Sequence, residues 1–125
     1  MTDYEKFLSE IGLTEDDCRA ARDGVRVNPM GGQEALRVHI GKSPIEGWGV
    51  FASEPIEKFT VIADAFNDGA WSTTGRYMNH SPDPNAEVRV SLGDTIFRST
   101  RYIEMDGEIT CNYRNMRAVL IPIFP

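Results

Sequence analysis

The chain has 125 residues, of which 41% are hydrophobic and 26% charged, and its formal net charge is -6. That length makes one domain with a core of its own, and the apolar share sets aside general disorder. The acidic balance repels nucleic-acid phosphate, so no nucleic-acid partner is expected, and a basic, lysine-bearing peptide suits it better.

No apolar run is long enough to cross a bilayer, and no basic-then-apolar leader opens the chain. No membrane partner is expected, and the expectation is a soluble intracellular protein, cytoplasmic, or nuclear or in a host cell if the source is eukaryotic or viral. Cys18 and Cys111 stand far apart with no CxxC, and His39 and His80 do not cluster with them. A structural zinc site is therefore set aside, no metal is expected, and the cysteines read as thiols.

In chain order, Tyr4, Phe7, Leu8 and Ile11 fall on one helical face, with Thr2 or Asp3 to cap and Gly12 to stop. Thr14 and Asp17 resemble a capping box opening a second helix that runs to about Arg22. The two predict a helical hairpin, an extension over residues 1–34. The loop Asn28-Pro29-Met30-Gly31-Gly32 separates it from a body over residues 35–125. Ala35 to Ile40 alternates and predicts a strand, as do Phe59 to Ala63 and Glu108 to Tyr113. Val88-Arg89-Val90 and Thr95-Ile96-Phe97 predict a hairpin across Leu92-Gly93-Asp94, and Asn67-Asp68-Gly69 a turn. The body is many short strands, with helices only at the start. The apolar tail, Ala118 to Phe124, must be covered by its own body or by a second copy.

Gly47-Trp48-Gly49-Val50-Phe51-Ala52 satisfies GxGxxA, a dinucleotide-binding fingerprint. That motif needs a helix to open at its glycines, and Pro55 would break such a helix at once. A nicotinamide oxidoreductase is thus disfavoured. What remains is a tight turn where main chain can approach a ligand closely. Arg76-Tyr77-Met78-Asn79-His80-Ser81-Pro82-Asp83-Pro84-Asn85 is neither helix nor strand by pattern. Its large, partly apolar start predicts a loop that leaves the core.

These stretches, with Thr100-Arg101-Tyr102-Ile103 and Gly107-Glu108-Ile109-Thr110-Cys111-Asn112-Tyr113, occur in one order along residues 37–113. The ordered set, above all RxxNHSxxPN followed by GE(I/L)xxxY, resembles the SET domain family of protein lysine methyltransferases, in a minimal stand-alone form. The resemblance implies a mainly β fold, the β-clip or SET fold. It consists of several small curled sheets with a pseudoknot in which the Asn-His-Ser segment and the last strand cross. It implies S-adenosyl-L-methionine as methyl donor and a protein lysine as acceptor. It implies that backbone at Gly47, Trp48 and Gly49 holds the methionine part of the cofactor, with Arg76 nearby. Asn79 would bond its amino group and backbone at His80 its adenine. Tyr113 would be catalytic at the junction with the lysine, in a channel formed with Cys111 and Phe97.

This chain departs from the family pattern. Only twelve residues separate Ala63 from Arg76, where relatives insert a longer wall of the substrate groove. Cys111-Asn112 stands where an aromatic-Asp pair is common. No cysteine cluster follows Tyr113, which leaves the tail to close the site in cis or across a homodimer. These departures motivate the alternative of a non-catalytic SET-fold binding module with a degenerate groove.

Overall fold

The computed structural model describes residues 2–17, 26–67, 70–91 and 94–115. Helix α1 (Asp3–Ile11) starts where Thr2 Oγ1 accepts the Glu5 N–H at 3.1 Å. It ends at Gly12, whose φ of 72° is the left-handed cap that glycine adopts without strain. Phe7 and Leu8 are its buried face. Thr14 and Asp17 then form a reciprocal box: Asp17 N–H donates to Thr14 Oγ1 at 3.1 Å, and Thr14 N–H to Asp17 Oδ2 at 2.9 Å. Aspartate therefore completes the box as glutamate would. Residues 15–17 are helical. The expected end of that helix, Cys18 and the tail lie outside the described residues.

The strands follow as β1 (Arg26–Val27), β2 (Val38–Lys42), β3 (Trp48–Ala52), β4 (Val61–Asn67), β5 (Ala70–Trp71), β6 (Asn79–His80), β7 (Ala86–Ser91), β8 (Asp94–Ser99) and β9 (Glu108–Cys111). They form a five-stranded sheet, β1-β5-β4-β8-β7, and a four-stranded sheet, β2-β3-β9-β6. The fold is mainly β, as the resemblance implies. The β7–β8 hairpin closes with Ser91 opposite Asp94. The stretch Trp48–Ala52 is strand and opens no helix, so the glycines of GxGxxA lie in a turn and a strand.

Three sequence expectations need correction. The strand expected from Ala35 begins at Val38, because Gly32–Arg37 is a short helix, α2. Glu34 on that helix accepts from the Thr74 N–H at 3.1 Å and from Thr74 Oγ1 at 2.7 Å. That contact spans 40 residues of sequence, so local alternation carries no trace of it. The strand expected from Phe59 begins at Val61, because Phe59 takes a φ of 64° in a turn. Helices are not confined to the start: α3 (Thr73–Tyr77) is capped by Ser72, whose Oγ accepts the Gly75 N–H at 2.8 Å.

Both sheets and α1 share one core. Val38, Val50 and Ile109 from one sheet, Ile62, Val88 and Phe97 from the other, and Phe7 and Leu8 of α1 are buried in one cluster. The pairing of β6 with β9 decides the architecture. It is parallel, with Asn79 opposite Thr110 and His80 opposite Cys111. A parallel pair needs a long crossover. Here the chain leaves β6, builds the β7–β8 hairpin in the other sheet, and returns as β9. Asn85 fastens the return: its Nδ2 donates to the Glu108 carbonyl, and its Oδ1 accepts the Thr110 N–H, each at 2.9 Å.

Candidate active site

Strand β6, at its crossing with β9, lines a cavity of about 770 Å³. The turn before β3 supplies Ile45, Glu46, Gly47 and Trp48. The end of α3 and the start of β6 supply Arg76, Tyr77, Met78, Asn79 and His80. Tyr113 comes from just beyond β9, and Thr2, Asp3, Tyr4, Glu5 and Leu8 from α1 and its cap. The volume lies in the range of pockets that take a small organic molecule.

The turn is set by Ser43. Its N–H donates to the Gly47 carbonyl at 2.8 Å, and its hydroxyl donates to both Glu108 carboxylate oxygens at 2.8 Å. Gly47 takes a φ of 41° there. Asn79 Nδ2 donates to the carbonyls of Glu46 (3.1 Å) and Trp48 (3.2 Å) and to Glu108 Oε2 (3.0 Å). Asn79 thus clamps the glycine turn to β9 through Glu108. Gly49 is packed against that clamp. A Cβ there would collide with Glu108 Oε2 and sit 3.0 Å from Ser43 Cβ and 3.1 Å from Asn79 Nδ2. Close packing therefore requires the second glycine of the motif, and Gly49 itself stands behind the cavity wall.

His80 is 9% exposed, and its ring is fixed from both sides. Nδ1 accepts the Tyr113 backbone N–H at 3.0 Å, and Nε2 lies 2.6 Å from Asp3 Oδ2. The Tyr113 hydroxyl donates to the Met78 carbonyl at 2.6 Å. Tyr4 meets the Tyr113 ring edge-on at 5.7 Å, and Phe7 stacks on His80 at 6.3 Å. Arg114 donates to Asp3 at 2.7 Å and to Glu10 at 3.0 and 3.1 Å. Its guanidinium is the chief reason that the Asp3 and Glu10 carboxyls are held below the ordinary carboxylate range, with the His80 contact adding to the effect on Asp3.

The structure brings Gly47, Trp48, Arg76, Asn79, His80 and Tyr113 together on the cavity. Phe97 and Cys111, expected to form a channel with Tyr113, are instead fully buried in the core, each at 0% exposure. Burial pushes the Cys111 thiol well above its ordinary pKa.

A family model described as "SET domain" matches residues 63–114, the span that holds β6, β9 and Tyr113. The chain carries a SET domain. Among solved structures it is similar to a candidate histone methyltransferase of Plasmodium falciparum, at 27% identity and a TM-score of 0.53, over 62% of this chain and 92% of that one. A humanised mutant of the Chaetomium thermophilum Polycomb Repressive Complex 2, bound to the inhibitor GSK126, matches at 23% identity and a TM-score of 0.53. That match covers 61% of this chain and 14% of the Chaetomium chain, and it speaks for the fold. No curated protein matches the chain in sequence.

Within this SET domain, two features escaped sequence reasoning. Glu108 stood in the motif with no role, yet it joins the serine, asparagine and glycine segments. Asp3, Tyr4 and Glu5 carried no motif; their only signal was a helix with one apolar face, which predicts packing and not a place in the cavity.

Proposed function

We propose that the chain is an S-adenosyl-L-methionine-dependent protein-lysine N-methyltransferase of the histone-lysine methyltransferase kind. The observation that supports it is the meeting of Gly47, Trp48, Arg76, Asn79, His80 and Tyr113 on one cavity. The residues fit the cofactor. Arg76 suits a carboxylate, the Trp48 and Tyr4 rings and Met78 suit a purine, and the carboxylates of Asp3, Glu5, Glu15 and Glu46 suit its positive groups. When bound, the cofactor supplies an electrophilic methyl group.

The rest falls to the chain. Backbone at Gly47 and Trp48 holds the ligand, and the Asn79–Glu108 clamp keeps that turn in place. The Tyr113 hydroxyl donates its proton to the Met78 carbonyl, so toward an amine it acts as an acceptor and not as a donor. An accepting oxygen takes an N–H from a neutral lysine amine and orients that nitrogen's lone pair. Tyr113 is then a positioning group and not a general base, and much of the rate comes from alignment. The protein acceptor is expected to be basic, to complement the acidic chain.

Calorimetry with S-adenosylmethionine and transfer of labelled methyl into a mixed protein lysate test the reading. Wild type should bind and label. Tyr113→Phe should still bind while labelling falls by about a hundredfold. Full labelling by that variant would remove Tyr113 from its role. One observation favours a second reading, a non-catalytic module: the Asn79 amide, expected at the cofactor's amino group, donates to Glu46, Trp48 and Glu108. Wild type that labels no protein would select it.

A further inference from the structure

One wall of the cavity comes from outside the motifs. Helix α1 buries Phe7 and Leu8 in the core, which by itself would hold a scaffold helix. Yet its first turn also lines the cavity with Asp3, Tyr4 and Glu5, and Asp3 reaches the motif histidine. The His80 ring accepts the Tyr113 N–H at Nδ1, and a nitrogen that accepts carries no proton. The proton therefore sits on Nε2 and is donated to Asp3 Oδ2 at 2.6 Å. Asp3 selects the one neutral tautomer that can receive the Tyr113 backbone. Arg114, the residue after Tyr113, donates to the same Asp3 oxygen at 2.7 Å and so ties it to the segment that carries Tyr113.

We propose that α1 is a working wall of the cofactor cavity, and that Asp3 is a positioning residue that sets Tyr113 through His80. The proposal deepens the methyltransferase reading and rests on it. It gives the amino-terminal helix a part in the site. Cavity closure comes in cis from the start of the chain.

The test uses the full chain with Asp3→Ala, Asp3→Asn and Glu10→Ala. Asparagine keeps an oxygen that accepts from Nε2–H. Glu10→Ala removes only the far Arg114 contacts, so it loosens α1 without touching His80. The ring tautomer is read by long-range proton–nitrogen NMR, affinity by calorimetry with S-adenosylhomocysteine, and helix docking by thermal unfolding. Wild type should show the proton on Nε2. Asp3→Ala should mix the tautomers, shift the Tyr113 amide and weaken binding by about tenfold, as loss of a charge-assisted hydrogen bond does. Asp3→Asn should restore tautomer and binding to within about threefold, a loss no larger than a neutral hydrogen bond carries. Glu10→Ala should lower the unfolding temperature, keep the proton on Nε2, and weaken binding by less than Asp3→Ala does.

Unchanged tautomer and affinity in Asp3→Ala would overturn the proposal. So would equal binding losses in Asp3→Ala and Glu10→Ala, which would make α1 a scaffold. Wild type with the expected tautomer but no affinity for the probe would overturn the methyltransferase reading, and the positioning role with it. Binding by wild type with an indifferent Asp3→Ala would overturn this proposal alone.

Discussion

Gly49 has no freedom to vary, although nothing about its own backbone angle demands glycine. A Cβ would press on the Glu108 carboxylate, which Ser43 and Asn79 hold in place. Gly49→Ala should destabilise the fold by about 1–3 kcal/mol through overpacking and abolish ligand binding, as urea denaturation and calorimetry would read. Gly47 differs: a Cβ there meets nothing within 4 Å, and its constraint is the φ of 41°. Cys111 is the opposite of a reactive residue. It is fully buried, and burial holds its thiol protonated, so the thiolate that alkylating agents require is suppressed. The Cys111 peptide should stay unmodified by iodoacetamide in the folded protein at pH 8 and react once urea unfolds it, with mass spectrometry as the readout.

At the scale of elements, α1 is held by apolar contacts and by charge, and only the second depends on pH. Asp3 and Glu10 have folded-state pKa values below their unfolded values because of Arg114. Their contribution is complete above the ordinary carboxylate range, near about pH 4, and is lost as pH falls through the lowered values. Acid should therefore loosen α1 first. Unfolding midpoints below about pH 4 should fall less steeply for an Asp3→Ala/Glu10→Ala double variant than for wild type. The elements that sequence patterns misplaced share a cause. Glu34 pairs with Thr74 across the fold and makes a helix of Gly32–Arg37. Ser99 Oγ donates to the Glu57 carbonyl at 2.6 Å and accepts the Thr60 N–H at 2.9 Å, which holds the turn at Phe59 and delays β4. Periodicity reads neighbours three or four residues away and has no access to either bond.

At the scale of the whole molecule, Glu108 is the joint. Its side chain binds the loop before β3 through Ser43 and the crossing strand through Asn79, while its backbone carbonyl takes Asn85. Glu108→Ala takes the acceptor from the Ser43 hydroxyl and unties the Asn79 amide from β9 in a half-buried place. The cost should be about 1–3 kcal/mol by urea denaturation, larger than for an exposed glutamate such as Glu54. Cofactor affinity should fall as well, because the turn that holds Gly47 and Trp48 loses its clamp.

The order of motifs was legible in the residues because each needs specific side chains: glycine for close approach, asparagine for an amide, tyrosine for a hydroxyl. The first helix and its caps, the β7–β8 hairpin and the failure of the dinucleotide fingerprint were legible too, since short-range sterics and hydrogen bonds decide them. The tertiary structure alone decided that Phe97 and Cys111 go to the core, that Asn79 spends its amide on the glycine turn, and that Asp3 reaches His80. Those outcomes depend on pairings 29 to 77 residues apart. No local pattern encodes which distant partner meets a polar group, because that meeting exists only once the parallel crossing of β6 and β9 has closed.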